Sequence, residues 1–289
     1  MYVVFGANGR AGGETARALL EMGQPIRVVL RNKEQAKNWI KLGADVAIGD
    51  IDNVESLAAA MQNAAGAFLL SPPPAGGDPY ARADVVGASF AEAVRRAAPP
   101  KIVLLSSIGA QHVGGTGVIA TLNRMEKHLS AAAPATVFLR SGYFIETWSE
   151  VAHAVIAEGV LPSFLAPAQK IPMVSTIDVG RTAATLLSDG IGGNRTVELR
   201  GPEDWSAQDV AAAFAEAIGR PVAMAFIPPE ARANAFAEEG VPVEVADALI
   251  GMYDGIASGK VAFEDGNEQR RGEISLADAV GRIVRNVAK

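Results

Sequence analysis

Short apolar, β-branched runs alternate with longer runs of helical period through the first 140 residues of this chain. Residues 2–5, 26–30, 45–48, 67–70, 101–105 and 136–139 read as strands. The stretches between them, 12–22, 33–42, 54–63, 80–97 and 119–131, read as helices. Strands this short and apolar on both faces, each separated by a helix, belong to a parallel sheet covered on two sides. Right-handed crossovers make that sheet doubly wound.

Past residue 140 the pattern loosens. Residues 178–187 read as a helix, 195–199 as a strand, and 207–218 as a helix capped by Ser206 and ended at Gly219. A further strand is expected at 222–227, followed by two helices within 228–259 that break at 240–242. The fold class expected is α/β: a Rossmann-type doubly wound parallel sheet with a smaller C-terminal α/β substrate lobe. Residues 1–150 would form the nucleotide-binding domain. Residues 151–289 would form the lobe, partly intertwined with the first domain and adding a strand to its sheet.

Composition narrows the function classes. With 289 residues and 49% hydrophobic content the chain has enough apolar surface for a sizeable core. No apolar run approaches the roughly 18 residues of a membrane-spanning helix, and with a first strand read at residue 2 no leader is expected. The net charge of −6 argues against nucleic-acid binding, which rests on Lys and Arg neutralising phosphates. The absence of cysteine excludes disulfides, thiolate metal ligands and a Cys nucleophile. His112, His128 and His153 have no metal-ligand spacing, and Ser106 and Ser107 lack a Gly-x-Ser-x-Gly elbow. The expectation is a cytoplasmic protein that handles small molecules, without a metal and with homodimerisation left open.

The strongest chemical signal is Gly6-Ala7-Asn8-Gly9-Arg10-Ala11-Gly12 between the first strand and first helix. Glycines there allow a tight turn and let backbone N–H groups approach a pyrophosphate at the helix N-terminus. An NAD site carries Asp or Glu about 20 residues on, to hold the ribose 2′-hydroxyl. Here Arg31 stands at that place, and no carboxylate occurs between Glu21 and Glu34. A guanidinium suits a 2′-phosphate, with Arg10 able to approach from the other side, so NADP(H) is the cofactor expected. A solvated surface arginine is the plainer alternative. Asp50 is either a neighbour of the adenine or an ordinary turn aspartate. The Pro72–Pro74 loop with Gly76 and Gly77 follows the fourth strand, where ligands of doubly wound sheets sit. Tyr143, Phe144 and Trp148 form either core packing or a flat wall for a planar acceptor.

The ordered set of Gly6-x-x-Gly9-x-x-Gly12, Val29-Leu30-Arg31-Asn32, Gly49-Asp50, Ser106-Ser107 and Phe138-Leu139-Arg140-Ser141-Gly142-Tyr143 resembles the NmrA-like branch of the atypical short-chain dehydrogenase/reductases. Pro202-Glu203-Asp204-Trp205-Ser206, Gly219-Arg220-Pro221-Val222 and Gly240-Val241-Pro242, leading to the run from Met252 to Gly259, are similar to its quinone-reductase and triphenylmethane-reductase subgroup. The likeness covers nearly the whole chain. It implies a Rossmann domain, an NADP(H) preference and a nicotinamide facing the C-terminal lobe. By position it implies cofactor contacts at Asn8, Gly9, Arg10, Arg31, Asp50, Ile51, Leu70, Ser71, Pro72, Ser106, Gly142 and Tyr143, besides the turn residues Gly6, Ala11 and Gly12.

One departure shapes the chemistry. Tyrosine-dependent members of the wider superfamily use a Tyr-x-x-x-Lys pair. Here Tyr2, Tyr80, Tyr143 and Tyr253 are followed four positions on by Gly6, Asp84, Thr147 and Ala257. Hydride addition to a ketone leaves an alkoxide that requires a positioned acid, whereas a quinone leaves a delocalised phenolate that tolerates slower protonation. The function expected is therefore NADPH-dependent reduction of a quinone or similar planar conjugated acceptor, with Tyr143 as the one candidate proton donor. The alternative, which the family resemblance also implies, is a non-enzymatic NADP(H)-binding redox sensor that acts through a protein partner.

Overall fold

The computed structural model describes residues 1–190 and 192–287. The first half runs β1 (Tyr2–Phe5), α1 (Arg10–Glu21), β2 (Ile26–Leu30), α2 (Ala36–Lys41), β3 (Asp45–Ile48), α3 (Val54–Ala60), β4 (Gly66–Leu70) and α4 (Pro79–Ala97). It continues through β5 (Lys101–Ser107), α5 (Ala120–Leu129) and β6 (Ala135–Ser141). Then come β7 (Tyr143–Phe144), a 3-10 turn (Ile145–Glu150), α6 (Ala152–Glu158), β8 (Val160–Ser163), β9 (Ile171–Val174) and α7 (Thr176–Ser188). The chain closes with β10 (Arg195–Arg200), β11 (Asp204–Trp205), α8 (Ala207–Ile218), β12 (Ala223–Phe226), α9 (Pro229–Glu238), α10 (Val243–Ala257), β13 (Glu268–Arg271) and α11 (Leu276–Val287).

Eight strands make one sheet in the order β13-β10-β6-β5-β4-β1-β2-β3, parallel throughout. The order reverses between β1 and β4, which places the ligand-accepting crevice of this architecture beyond their carboxyl ends. Alternate residues explain the two covered faces. Val4, Val28, Phe68, Val103 and Val137 pack with α1 and α7, while Val3, Val29, Leu69, Ile102 and Leu104 pack with α3, α4 and α5. Every one of these ten is buried, and truncating such a side chain costs about 2–5 kcal/mol for Leu or Ile to Ala.

Local chemistry fixes the helix starts. Asp78 caps α4 by accepting from the Tyr80 amide at 2.8 Å, with Pro79 at the first helical position. Ser206 and Asp209 form a reciprocal capping box at α8. A separate core holds Trp148, Val155, Leu161, Met173, Trp205, Phe214, Val280 and Ile283. Around it lie a three-stranded sheet, β11-β9-β7, and the parallel pair β12-β8.

Several elements depart from the sequence pattern. α1 starts at Arg10, two residues earlier than the glycines suggest. The helix expected at 33–42 divides into a 3-10 turn at Lys33–Gln35, capped by Asn32, and the short α2. The strand expected at 222–227 exists as β12 but pairs with β8, outside the main sheet. The later half gives that sheet two strands, β10 and β13, where one is expected. Glu268-Gln269-Arg270-Arg271 contains no apolar residue, so its pairing with β10 leaves no hydrophobic signal.

Candidate functional site

The turn after β1 is built by close backbone approach. Gly6 has φ +66°, and the Gly9 amide donates to the Gly6 carbonyl at 2.8 Å. A side chain at Gly12 would place Cβ 2.3 Å from that carbonyl oxygen, so the helix can sit this near the strand only with glycine there. Gly9 differs: a Cβ there would meet only the Gly6 oxygen, at 3.2 Å, and otherwise open space. Gly9 is the N-cap of α1, with no capping side chain and no acidic residue in the first turn. The free amides and the positive end of the helix dipole therefore face outward, a ready anion site. Ala11 packs inside the first turn, where its carbonyl accepts from the Thr15 hydroxyl at 2.9 Å.

Neighbouring elements complete this edge. Leu70, the last residue of β4, packs directly over Gly6, and Ser71 and Pro72 follow half-buried. Asn8 Oδ1 accepts from Trp39 Nε1 at 2.8 Å, which fastens the turn to α2. Arg31 is exposed just past β2, and among the described residues it has no hydrogen-bond or ion-pair partner. Asp50 closes its own turn: its carboxylate accepts from the Asp52 amide, and its backbone bonds Ser56. Ile51 beside it packs half-buried against the α3–α4 core.

Ser106 turns inward. Its hydroxyl donates to Glu126 Oε1 at 2.6 Å, and Arg140 holds both oxygens of the same carboxylate at 2.9 and 2.8 Å. Arg140 reaches Glu264 as well, at 2.9 Å, and Glu198 lies 3.8 Å away, fully buried. The side chain expected to line the ligand site thus belongs to a network beneath it, because β5 continues to Ser107 and turns position 106 toward α5.

Gly142 and Tyr143 carry the chain from β6 to β7, with the Gly142 amide donating to the Leu199 carbonyl at 2.9 Å. The Tyr143 hydroxyl meets that of Tyr253 on α10. Burial pushes the Tyr143 phenol well above its ordinary range, and Tyr253 adds to the shift. Burial also raises Tyr253, while the hydroxyl of Tyr143 acts in the opposite direction. The charge of Glu150 pushes the Tyr143 phenol further up, and that of Arg10 acts in the opposite direction. Arg10 Nη2 donates to Ser149 Oγ at 3.3 Å and to Glu150 Oε1 at 2.9 Å.

Of the three expected aromatics, Trp148 is 5% exposed inside the small core, with its ring centroid 6.3 Å from that of Tyr143. Phe144 is half-buried against the α1–α7 core. The aromatic surface beside Tyr143 extends instead through Tyr253 to Phe164, at 5.1 Å, and on to Phe236, stacked at 4.8 Å. Arg232, buried behind them, bonds Asp254 at 2.8 Å and the Phe164 carbonyl at 3.0 Å. Phe164 and Phe236 carry no sequence signal beyond their residue type, and Tyr253 only its place in the Met252–Gly259 run, since the helix-to-loop packing that gathers them is long-range.

A Rossmann sheet with a glycine-built anion site at its switch point defines a dinucleotide-binding protein class. A model of the NmrA-like family matches residues 2–265, and the chain belongs to that family. An NAD(P)H azoreductase of Xenophilus azovorans is 26% identical over 255 residues, which cover 88% of this chain and 86% of that protein. Among solved structures, an NADPH-dependent quinone oxidoreductase of Escherichia coli in complex with NADPH superposes with a TM-score of 0.82. It is 23% identical, with 98% of this chain and 99% of that one covered. The triphenylmethane reductase of a Citrobacter species, complexed with NADP(H), gives a TM-score of 0.78 at 21% identity, covering 99% of each chain. Among the described residues, no helix is long and apolar enough to cross a membrane.

Proposed function

We propose that the chain is an NADPH-dependent oxidoreductase acting on a quinone or similar planar conjugated acceptor. The observation that carries this reading is the placement, along the carboxyl ends of one sheet, of the α1 N-terminus, of Arg31 with no partner among the described residues, and of the paired phenols Tyr143 and Tyr253. The named activities of its relatives, azo, quinone and triphenylmethane reduction, share acceptors of this shape and support it. NADPH supplies a hydride when bound.

The residues present fit that cofactor. Gly9 leaves open the space a pyrophosphate needs, and the uncapped amides of α1 supply donors. Arg31, with Arg10 at hand across the turn, supplies positive charge for a 2′-phosphate. Leu70, Ser71 and Pro72 border the same crevice. On the acceptor side, Tyr143 and Tyr253 keep their protons at neutral pH and so present O–H donors to an acceptor oxygen or nitrogen. Phe164 and Phe236 extend a flat apolar surface onto which a conjugated ring can stack. Orientation, rather than a strong acid, is this site's contribution.

The test is NADPH consumption measured against a panel of quinones, azo dyes and triphenylmethane dyes. Turnover with at least one class is expected. Tight NADPH binding with no oxidation by any of them would overturn the enzyme and favour a redox sensor.

A further inference from the structure

A groove of about 720 Å³ opens at the carboxyl ends of β10 and β13. None of the residues placed in the nucleotide crevice or beside Tyr143 lines it, so the groove is distinct from the site already described. Its charge is unlike that of the molecule around it. Lys170, Arg200, Arg270 and Arg271 line it against a single carboxylate, Asp265, in a chain of net charge −6.

Arg270 is neutralised by Glu268 at 2.7 Å. Among the described residues, Lys170, Arg200 and Arg271 have no carboxylate within ion-pairing distance. Arg200 lies instead over the ring of Phe263, its guanidinium carbon 5.1 Å from the centroid. Arg271 donates to the Pro202 carbonyl. These two arginines stand opposite each other in register on adjacent parallel strands, on the same face of the sheet. Like charges in that relation repel and destabilise the pairing unless an anion lies between them. Ile256 and Val261 give the same groove an apolar wall.

We propose that this groove binds a small organic phosphomonoester, with the phosphate between Arg200 and Arg271 and the organic portion on the apolar wall. Guanidinium forks match phosphate oxygens in pairs, and a dianion answers two arginines and a lysine where a single carboxylate would not. Binding removes the repulsion between the two strands, so the ligand also supports the β10–β13 pairing.

Titration calorimetry of the full chain, held at saturating NADPH, tests this with phenyl phosphate and inorganic phosphate as probes. Phenyl phosphate is expected to bind at one site, more tightly than inorganic phosphate, which competes with it. Arg200→Gln and Arg271→Gln should each weaken it at least about tenfold. Both should leave NADPH affinity unchanged. Arg271→Lys, which keeps the charge and loses the fork, should fall between Arg271→Gln and the natural chain, and controls for folding. No binding of phenyl phosphate up to about 10 mM would overturn the proposal. Equal affinity in the natural chain and both glutamine variants would overturn it too. Equal affinity for the two probes would remove the organic portion and leave a bare anion site.

Discussion

Arg10 Nη2 lies 2.9 Å from Glu150 Oε1, so the first residue of α1 is tied to the end of the 3-10 turn that follows β7. Both side chains are partly exposed, at 39% and 63%, so the pair is worth at most about 0–1 kcal/mol. It nevertheless spans the mouth of the proposed cofactor crevice and occupies a cation that an anionic ligand could use. Glu150→Gln is expected to leave stability unchanged within about 0.5 kcal/mol. It should raise NADPH affinity by up to about fivefold, read by calorimetry. A loss of affinity would show that Glu150 itself touches the ligand.

Arg31 is expected to set cofactor choice. With no competing partner among the described residues, its guanidinium is available to a 2′-phosphate, a charge-assisted contact worth about 1.5–3 kcal/mol. Arg31→Ala should therefore reduce the preference for NADPH over NADH by roughly 10- to 150-fold in dissociation constants. Equal constants for the two cofactors in the natural chain would refute the assignment.

Two glycines of one turn should fail in different ways. Gly9→Val fills open space where the pyrophosphate must approach, so binding should vanish while the melting temperature barely moves. Gly12→Ala drives a Cβ against the Gly6 carbonyl, an overpacking that costs about 1–3 kcal/mol. Its melting temperature should fall by several degrees. Calorimetry for the first and thermal unfolding for the second check the contrast. NADPH binding by Gly9→Val at natural affinity would move the phosphate site elsewhere.

Tyr143 and Tyr253 give a pH prediction with a definite sign. Both phenols titrate above the usual value of about 10, so their O–H groups persist through neutral and mildly alkaline solution. Quinone reduction should show no tyrosine-dependent fall between about pH 6 and 9. Stability from the folded-state proton is complete below the ordinary phenol pKa and is lost as pH rises through the folded value. Alkaline unfolding should accordingly begin at higher pH in Tyr143→Phe. The same substitution should lower turnover only modestly, against the 10²- to 10⁴-fold loss of a true general acid. A thousand-fold loss would restore Tyr143 as the acid.

Strands β1, β2, β4, β5 and β6 were legible because Val3, Val4, Val28, Val29, Ile102, Leu104 and their neighbours are buried on both faces, whereas the edge strand β3 has no fully buried residue. The former make largely apolar runs at the expected places, broken in β2 by Arg27. Glu198 illustrates what was not legible. It is fully buried in β10, accepting from the Glu264 amide and from Asn267 and Gln269, partners more than sixty residues away. Nothing local distinguishes it from a surface glutamate, and the all-polar run of β13 that it helps to hold gives no hydrophobic signal. The glycine turn could be placed from its spacing alone. Spacing says nothing of which way a side chain turns at the end of a strand, which is why Ser106 pointed elsewhere than expected. The facing of Tyr143 by Tyr253 depends on α10, whose approach is set by tertiary packing. No helix is expected past residue 259, although Leu276, Ala279, Val280 and Ile283 recur at helical spacing and form the buried face of α11.

The parallel pairing of β6 with β10, and of β10 with β13, bears on how the protein is made. A ribosome that has released the first 150 residues has released β6 with one edge bare and Val137 and Leu139 lacking their later neighbours. Arg140 is then without Glu198 and Glu264. Bare apolar edges recruit other chains. The nascent protein therefore passes through a window, more than a hundred residues long, in which a strand edge of the main sheet is open to other chains. Slowing synthesis between residues 150 and 271 should lower the yield of folded protein more than slowing it anywhere earlier.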